Sequence, residues 1–536
     1  MFIKRNKAYN ECLYSINITG IVGVMLIAKL RSTALFGVDA FVVEVEIDVS
    51  NGLPSFNIVG LPDTAVQESK ERVRSAIKNA EYQFPMQRIT VNLAPANVKK
   101  EGPALDLPIA IGILAANNQI NNFSYRKFII IGEVSLNGQI RPVNGILSIA
   151  LMARRKGIKN IIVPKENAPE AGIVDGINIY PITNLREVVR FLNKEINILP
   201  INVDKKEIMR HSNDYQIDFS DVKGQNHAKR ALEVAAAGSH NVIMIGPPGS
   251  GKTMLAQRLP TILPSLSLEE SIEITRLYSV SNLSNRDCPI MTRRPFRSPH
   301  HTISNIGLIG GGRIPKPGEI SMAHNGVLFL DELPEFNRSA LESLRQPLES
   351  GKVTISRTLR SVTYLSHFML IAAANPCPCG YFGDPVKQCT CTSNQIRKYR
   401  SKISGPLLDR IDIQIEVPRL DYRELANRNS HEETSDTIRN RIEKSRNIQQ
   451  IRFKNQSIFS NSQMNRKDIE KSCKLSKDGW ALLNHAMDKL KLSARAYDKI
   501  LKLSRTIADL SLSEEISISH LSEAIQYRSL DREDLI

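Results

Sequence analysis

The segment NVIMIGPPGSGKT, residues 241–253, places the spacing GxxxxGK[ST] directly after an apolar run. Gly246, Pro247, Pro248, Gly249, Ser250, Gly251, Lys252 and Thr253 then form a turn opening onto the helix-forming MLAQRLP. Backbone N–H groups of such a turn can cradle phosphate at a helix N-terminus. Lys252 offsets β/γ-phosphate charge, and Thr253 offers a hydroxyl to magnesium. A glycine-rich surface turn is the competing reading, and it requires neither the strand before nor the helix after. A second apolar run, GVLFLDEL, ends in Asp331 and Glu332. Asp331 can hold magnesium through water, and Glu332 can polarise an attacking water. A third, HFMLIAAANP, ends at Asn375, suited to orient that water unless it merely caps a turn. Arg410, after ISGPLLD, and Arg495, opening a helical segment, are candidates to stabilise a transferring phosphoryl group, one from a neighbouring copy and one from the same chain. Surface salt bridges are the alternative for both.

Four of the seven cysteines crowd into fifteen residues: Cys377, Cys379, Cys389 and Cys391, two C-x-C pairs nine residues apart. Tetrahedral zinc takes four such ligands, although C-x-C is tighter than the usual pair. Structural zinc, free reduced thiols and a redox role are the three readings. Cys12, Cys288 and Cys473 have no paired spacing. MTRRPFRSPHHTIS gathers Arg293, Arg294, Arg297, His300 and His301 around Phe296, a pattern that can grip a nucleic-acid backbone and stack on bases, or line a contact between copies.

These residues need a scaffold, and 536 residues allow two to four domains with cores of their own. Few cysteines, clustered, indicate a reducing, cytoplasmic setting rather than a secreted disulfide framework. A formal charge of +16, from 71 basic and 55 acidic residues, favours a polyanionic partner. The apolar run from Ile16 to Leu30 falls short of the roughly 20 residues a bilayer requires, so no membrane partner is expected. FVVEVEID alternates as a half-buried strand, and TAVQESKERVRSAIKNA is an amphipathic helix burying Ala65, Val73, Ala76, Ile77 and Ala80. RITVNLAP and NIIVP are strands, LDLPIAIGILAANN and GILSIALMARRKG helices, and KFIIIGEVSLNGQIRPV paired strands around Asn137-Gly138. The last 120 residues or so are rich in helix formers and charge.

With VEVEIDVSNGLPSFNIVGLPDTAVQESKERVRSAI, DFSDVKGQNHAKRALEVAAAGSHNVIMIGPPGSGKT, RRPFRSPHHTIS, PKPGEISMAHNGVLFLDELPEF, NPCPCG and ISGPLLDRIDI together, the chain resembles the ComM/YifB family of magnesium-chelatase-like AAA+ ATPases. The resemblance implies an α/β fold: an N-terminal Lon-protease-like domain over residues 25–195, a linker over 196–220, an AAA+ core over 221–418 and a helical C-terminal lid over 419–536. Residues 1–24 add nothing to the family pattern, so Met25 is expected to be the natural start, or 1–24 a disposable extension. Walker A would be Gly246 to Thr253, Walker B Asp331 with Glu332, sensor 1 Asn375, the arginine finger Arg410 and sensor 2 Arg495. The stretch from Asp221 to Gln225 would pack near adenine.

ATP, Mg2+ and a ring of copies, hexameric, follow from the same resemblance, as does a DNA motor for branch migration or helicase-like translocation in transformation or recombination. The hairpin-like stretch bearing Lys352 and Arg357 resembles one that faces the pore in related helicases, placing Lys352 on phosphate of single-stranded or branched DNA. A chelatase-like ATPase acting on a protein or cofactor-insertion partner is the alternative. An ATP-dependent protease is a weaker one. Lon chemistry needs a serine and a lysine, but Ala104 stands at the serine position of EGPALDLPIA, and Leu147 and Ile149 occupy the candidate lysine positions. Asp106 is left to anchor the helix start or its neighbouring turn.

Overall fold

The structure, a computed structural model, describes residues 27–120, 123–210, 215–281, 283, 289–312, 315–357, 360–419, 432–454, 456, 458–528 and 530. The expected extension 1–24, the start at Met25, and Cys12 and Cys288 lie outside them. The chain divides into two units, one reaching Val203 and one beginning at Asp204.

The first unit is built on a seven-stranded mixed sheet. Its strands are β1 (Ala28–Phe36), β2 (Asp39–Ser50), β3 (Ser55–Val59), β4 (Arg88–Ala94), β5 (Phe128–Ile130), β8 (Asn160–Pro164) and β9 (Asn178–Ile182), in the order β3-β4-β2-β1-β5-β8-β9. The antiparallel pair β1–β2 runs in register from Ala28↔Ile47 to Phe36↔Asp39, while β5, β8 and β9 are parallel. The hairpin around Asn137-Gly138 is shorter than its sequence pattern suggests. Only β6 (Glu133–Val134) pairs with β7 (Ile140–Arg141), because the apolar β5 is taken by the large sheet. The helix Thr64–Asn79 is capped by Asp63, whose Oδ1 accepts from Val66 N at 2.8 Å. Its buried stripe is Val66, Ser69, Val73, Ala76 and Ile77. Val66 takes the place expected of Ala65, which is only half-buried.

The helix Asp106–Ala116 is buried from its first residue to Ala115. Burying a leucine or isoleucine contributes about 1.5–3 kcal/mol, and this helix buries Leu107, Ile109, Ile111, Ile113 and Leu114 completely. It lies so close to the sheet that a methyl group at Gly112 would come within 2.1 Å of Ile47 Cδ1. Asp106 does more than begin this helix. Arg72, from the helix Thr64–Asn79, donates to both its oxygens, Nε to Oδ2 at 2.7 Å and Nη2 to Oδ1 at 3.1 Å. Burial nevertheless pushes the Asp106 carboxyl up to about 6, with Arg72 pulling against it. Asp106 is thus a tie between two helices.

The second unit has a five-stranded parallel sheet in the order β11-β14-β17-β10-β18. Its strands are β10 (Val242–Ile245), β11 (Phe296–Arg297), β14 (Val327–Leu330), β17 (Met369–Ala374) and β18 (Ile413–Glu416). The runs VIMI, VLFL and MLIAAA are almost unbrokenly apolar, as strands covered on both faces must be. Two small pairs stand outside this sheet: β12 (Gly310–Gly311) with β13 (Lys316–Pro317), and the hairpin of β15 (Lys352–Arg357) with β16 (Arg360–Leu365). The C-terminal helices Ser435–Arg452, Arg466–Ser472, Lys477–Leu490, Ala494–Leu510 and Ile518–Gln526 follow. Ile442, Leu483, Ile500 and Leu503 from these helices join Val242, Ile371 and Ile413 of the sheet in one core.

Candidate nucleotide site and its surroundings

Three of the chemistry-bearing segments leave the same end of the parallel sheet, because each follows a strand of it. After β10 the chain turns through Gly249 (φ +76°) and Gly251 (φ +91°) into the helix Lys252–Ile262. Glycine is required there by the left-handed backbone, and at Gly246 by crowding, since a Cβ would meet Val417 O at 2.1 Å. Lys252 is 7% exposed. Its Nζ donates to the carbonyls of Gly246 at 2.7 Å and Pro247 at 2.9 Å, and lies 3.4 Å from Asn375 Oδ1. Burial pulls its ammonium down to about 8, against the opposing pull of Asp331.

Thr253 donates to Asp331 Oδ2 at 2.7 Å, and Glu332 N donates to Asp331 Oδ1 at 2.9 Å. Lys252, Thr253, Asp331 and Asn375, spread over more than a hundred residues, therefore meet in one place. Glu332 stands beside them with φ +52°, a backbone that a glutamate adopts only when its surroundings impose it. A hydroxyl hydrogen-bonded to a carboxylate, next to a buried lysine on a phosphate-type loop, is a donor set that fits magnesium and a nucleotide phosphate. Gln225 fastens the loop from below, donating to Pro418 O at 2.7 Å and Ser250 O at 3.3 Å.

The two arginines have other company. Arg410 donates to Glu349 and to the Pro406 carbonyl. Arg495, at the start of the helix Ala494–Leu510, lies 3.7 Å from Asp409. Neither side chain is spent on the Lys252 group, and adjacent residues of one loop, Asp409 and Arg410, link both.

Within the basic segment Arg294, Phe296 and Arg297 are committed to internal contacts, while Arg293 and His300 are exposed. Arg294 donates to both oxygens of Glu270 at 3.0 Å and to the carbonyls of Pro264 and Asn325. Arg297 is bidentate to Glu319 at 2.6 and 2.7 Å. Phe296 stacks on Phe329 with centroids 6.0 Å apart. A half-buried guanidinium needs a carboxylate to offset its desolvation, and both arginines have found one. His301 has a different neighbour: its Nδ1 lies 3.5 Å from Glu332 Oε2, and its ring centroid is 4.1 Å from that of His300. No spacing rule links His301 to Glu332. Only the pairing of β11 with β14 brings their segments together.

The four cysteines converge, with ligand atoms all within 4.8 Å of one another. Sγ of Cys377 is 3.3 Å from that of Cys379 and 3.6 Å from that of Cys389, and Cys379 is 3.5 Å from Cys389. A tetrahedron of sulfurs at Zn–S distances of about 2.3 Å has edges of about 3.8 Å, close to the three edges among Cys377, Cys379 and Cys389. Backbone N–H groups of Tyr381 and Thr390 hold the Cys379 thiol below its ordinary value, while the neighbouring sulfurs push Cys389 and Cys391 up, so without a cation the four do not ionise together.

A parallel five-stranded sheet with a phosphate loop, an acidic strand end and a helical lid defines a P-loop ATPase of AAA+ architecture. The chain matches "Magnesium chelatase, subunit ChlI" over residues 218–425, "Subunit ChlI of Mg-chelatase" over 45–167 and "Magnesium chelatase, subunit ChlI C-terminal" over 432–528. It is 45% identical over 511 residues to competence protein ComM of Haemophilus influenzae, covering 95% of this chain and 98% of that one. It is 43% identical over 509 residues to YifB of Salmonella typhimurium, at the same coverage. The chain belongs to the ComM/YifB family of magnesium-chelatase-like AAA+ ATPases. Weaker similarity, 22% identity over 169 residues, joins 29% of the chain to 21% of the Lon protease of Mycolicibacterium smegmatis. The N-terminal α/β domain is Lon-like without the serine–lysine pair: Ala104 has no nucleophile, and Leu147 and Ile149 are buried apolar residues. Among the described residues no helix is long and apolar enough to cross a membrane.

Proposed function

We propose that the chain is an ATP-driven motor that remodels or translocates single-stranded or branched DNA, as in branch migration during natural transformation or recombination. The observation that carries the ATPase half is the meeting of Lys252, Thr253, Asp331 and Asn375 beside Glu332. When bound, Mg-ATP supplies the phosphoryl group. Gly246 to Thr253 hold its phosphates, Lys252 offsets their charge, and Thr253 and Asp331 hold Mg2+. Glu332 takes a proton from the attacking water that Asn375 orients. In a hexameric ring Arg410 reaches the site of the neighbouring copy, while Arg495 serves its own. The cysteine quartet is read as a structural zinc site, and the working compartment as the cytoplasm.

Three things support DNA as the moved substrate: the charge of +16, an exposed Lys352 at the base of the β15–β16 hairpin, and the competence name of the 45% identical relative. A chelatase-type ATPase acting on a protein or cofactor-insertion partner is the second reading, favoured by the magnesium-chelatase family match. ATPase assays with single-stranded DNA, duplex and a four-way junction discriminate. Junction DNA should stimulate hydrolysis. Glu332→Gln should keep ATP and DNA binding while lowering turnover by roughly 100-fold or more, the size of a lost general base. Hydrolysis indifferent to every DNA form, with no junction binding, would sink the DNA motor and favour the chelatase reading.

A further inference from the structure

The cysteine quartet is built against the nucleotide site. Cys377 follows Asn375 by two residues at the end of β17. Three residues further on, Gly380 rests on Pro248 of the phosphate loop, where an added methyl group would come within 2.6 Å of Cδ. Gly380 holds φ +87°, and its N–H donates to Cys377 O at 2.9 Å. The turn that reaches Pro248 is therefore closed by the first of the four cysteines. On the other side, Arg400 of the helix Ser393–Arg400 donates to Pro376 O at 3.1 Å and lies 5.0 Å from the Phe382 ring. Gly246 N donates to Ala374 O at 3.2 Å, so the phosphate loop and the strand end carrying the quartet already share a hydrogen bond.

Apolar packing does little to hold this loop. Phe382 is 44% exposed and Val386 76% exposed. Asp384 Oδ1 closes a turn inside it, accepting from Val386 N at 2.7 Å and Lys387 N at 3.0 Å, and the sulfurs are what join the two C-x-C pairs across that turn. Three of the thiols lie 3.3 to 3.6 Å apart and all four within 4.8 Å, and only Cys377 is fully buried; as thiolates they repel unless a cation sits among them.

The geometry points to a metal-braced lip on the nucleotide pocket: zinc, held by Cys377, Cys379, Cys389 and Cys391, fixes the loop against Pro248, and ATP affinity depends on that brace. This rests on the reading of the quartet as a zinc site. Each thiol that ligates loses its proton to solvent, and no electron transfer is involved. The four residues that would hold the ion all lie outside Gly246 to Thr253. The ion's effect is to keep the phosphate loop in its binding conformation before ATP arrives, so that less ordering is required on binding.

The test uses the full-length protein purified in reducing, chelator-free buffer. Metal analysis should give one zinc per chain. A zinc-selective chelator in excess magnesium should weaken binding of a fluorescent ATP analogue about tenfold, the size of effect seen when support around a metal site is lost, and added zinc should restore it. Gly380→Ala keeps all four thiols. It should retain zinc but lose ATP affinity through its clash with Pro248, which tests the contact; Cys391→Ser removes one ligand, spares that contact and should lose zinc and ATP affinity together, which decides the matter if chelation unfolds the protein, as circular dichroism reports. Bound zinc with unchanged ATP affinity after chelation, and wild-type affinity in Gly380→Ala, would overturn the brace while leaving the zinc site standing. Four freely titrating thiols that take up no added zinc would overturn both.

Discussion

Lys252 carries the pH-sensitive part of the site. Burial holds its ammonium down to about 8 from the ordinary 10.5. Nucleotide phosphate favours the charged form, so ATP affinity should be full below pH 8 and fall as pH rises through it. For folding the sign is opposite: the unfolded chain binds more protons between pH 8 and 10.5, so this lysine's contribution to stability rises across that window. Titrating ATP between pH 7 and 9.5 should show the loss, approaching about tenfold per pH unit at the upper end. Lys252→Arg stays charged and should bind without that inflection. An identical inflection in both proteins would remove Lys252 as its source. At this scale the phosphate-loop lysine was legible, because its partners are the loop's own carbonyls six and five residues before it. The His301–Glu332 approach was not, since it depends on neighbouring strands that no local pattern encodes.

Among the elements, the β15–β16 hairpin and the lid helix Ala494–Leu510 make separate predictions. Register from Lys352↔Leu365 to Arg357↔Arg360 leaves Lys352 exposed, so Lys352→Ala should weaken DNA binding alike for all sequences. Its salt slope should drop by about one. Unchanged binding across a salt series would rule this contact out. The lid is tied to the sheet by buried charge. Asp412, at the foot of β18, accepts from Asn241 N at 3.1 Å and lies 3.2 Å from Lys499 Nζ and 3.4 Å from His240 Nδ1. Burial works against the Asp412 carboxylate, but Lys499 and His240 outweigh it and hold its pKa well below the usual range. Asp412→Ala would leave Lys499 buried without its anion and should cost about 3–5 kcal/mol. Denaturant unfolding followed by the single tryptophan, Trp480 in the helix Lys477–Leu490, should register the loss. Unaltered unfolding would mean that water, not Asp412, offsets the lysine.

For the whole molecule, the proposed ring makes each ATP site a joint product of two copies. Arg410→Ala and Glu332→Gln should each be inactive alone, yet mixing them should restore part of the activity. Where Arg410 from a Glu332→Gln chain meets Glu332 of an Arg410→Ala chain the site is complete, roughly one junction in four in a random ring. Mixtures as inactive as their components would place Arg410 in its own chain's chemistry. What the amino-acid sequence determined by itself was the fold class and family: apolar runs ending in GPPGSGKT, DE and N are local patterns, and a buried parallel strand has to read that way. Tertiary structure alone decided which charges are already paired and which loops press on the phosphate cradle. Arg294 meets Glu270, Arg297 meets Glu319, Asp106 meets Arg72 and Gly380 meets Pro248 across long stretches of chain. Desolvation makes such pairings obligatory for a buried charge, yet the partner is chosen by sheet order and helix packing, which leave no local trace along the chain.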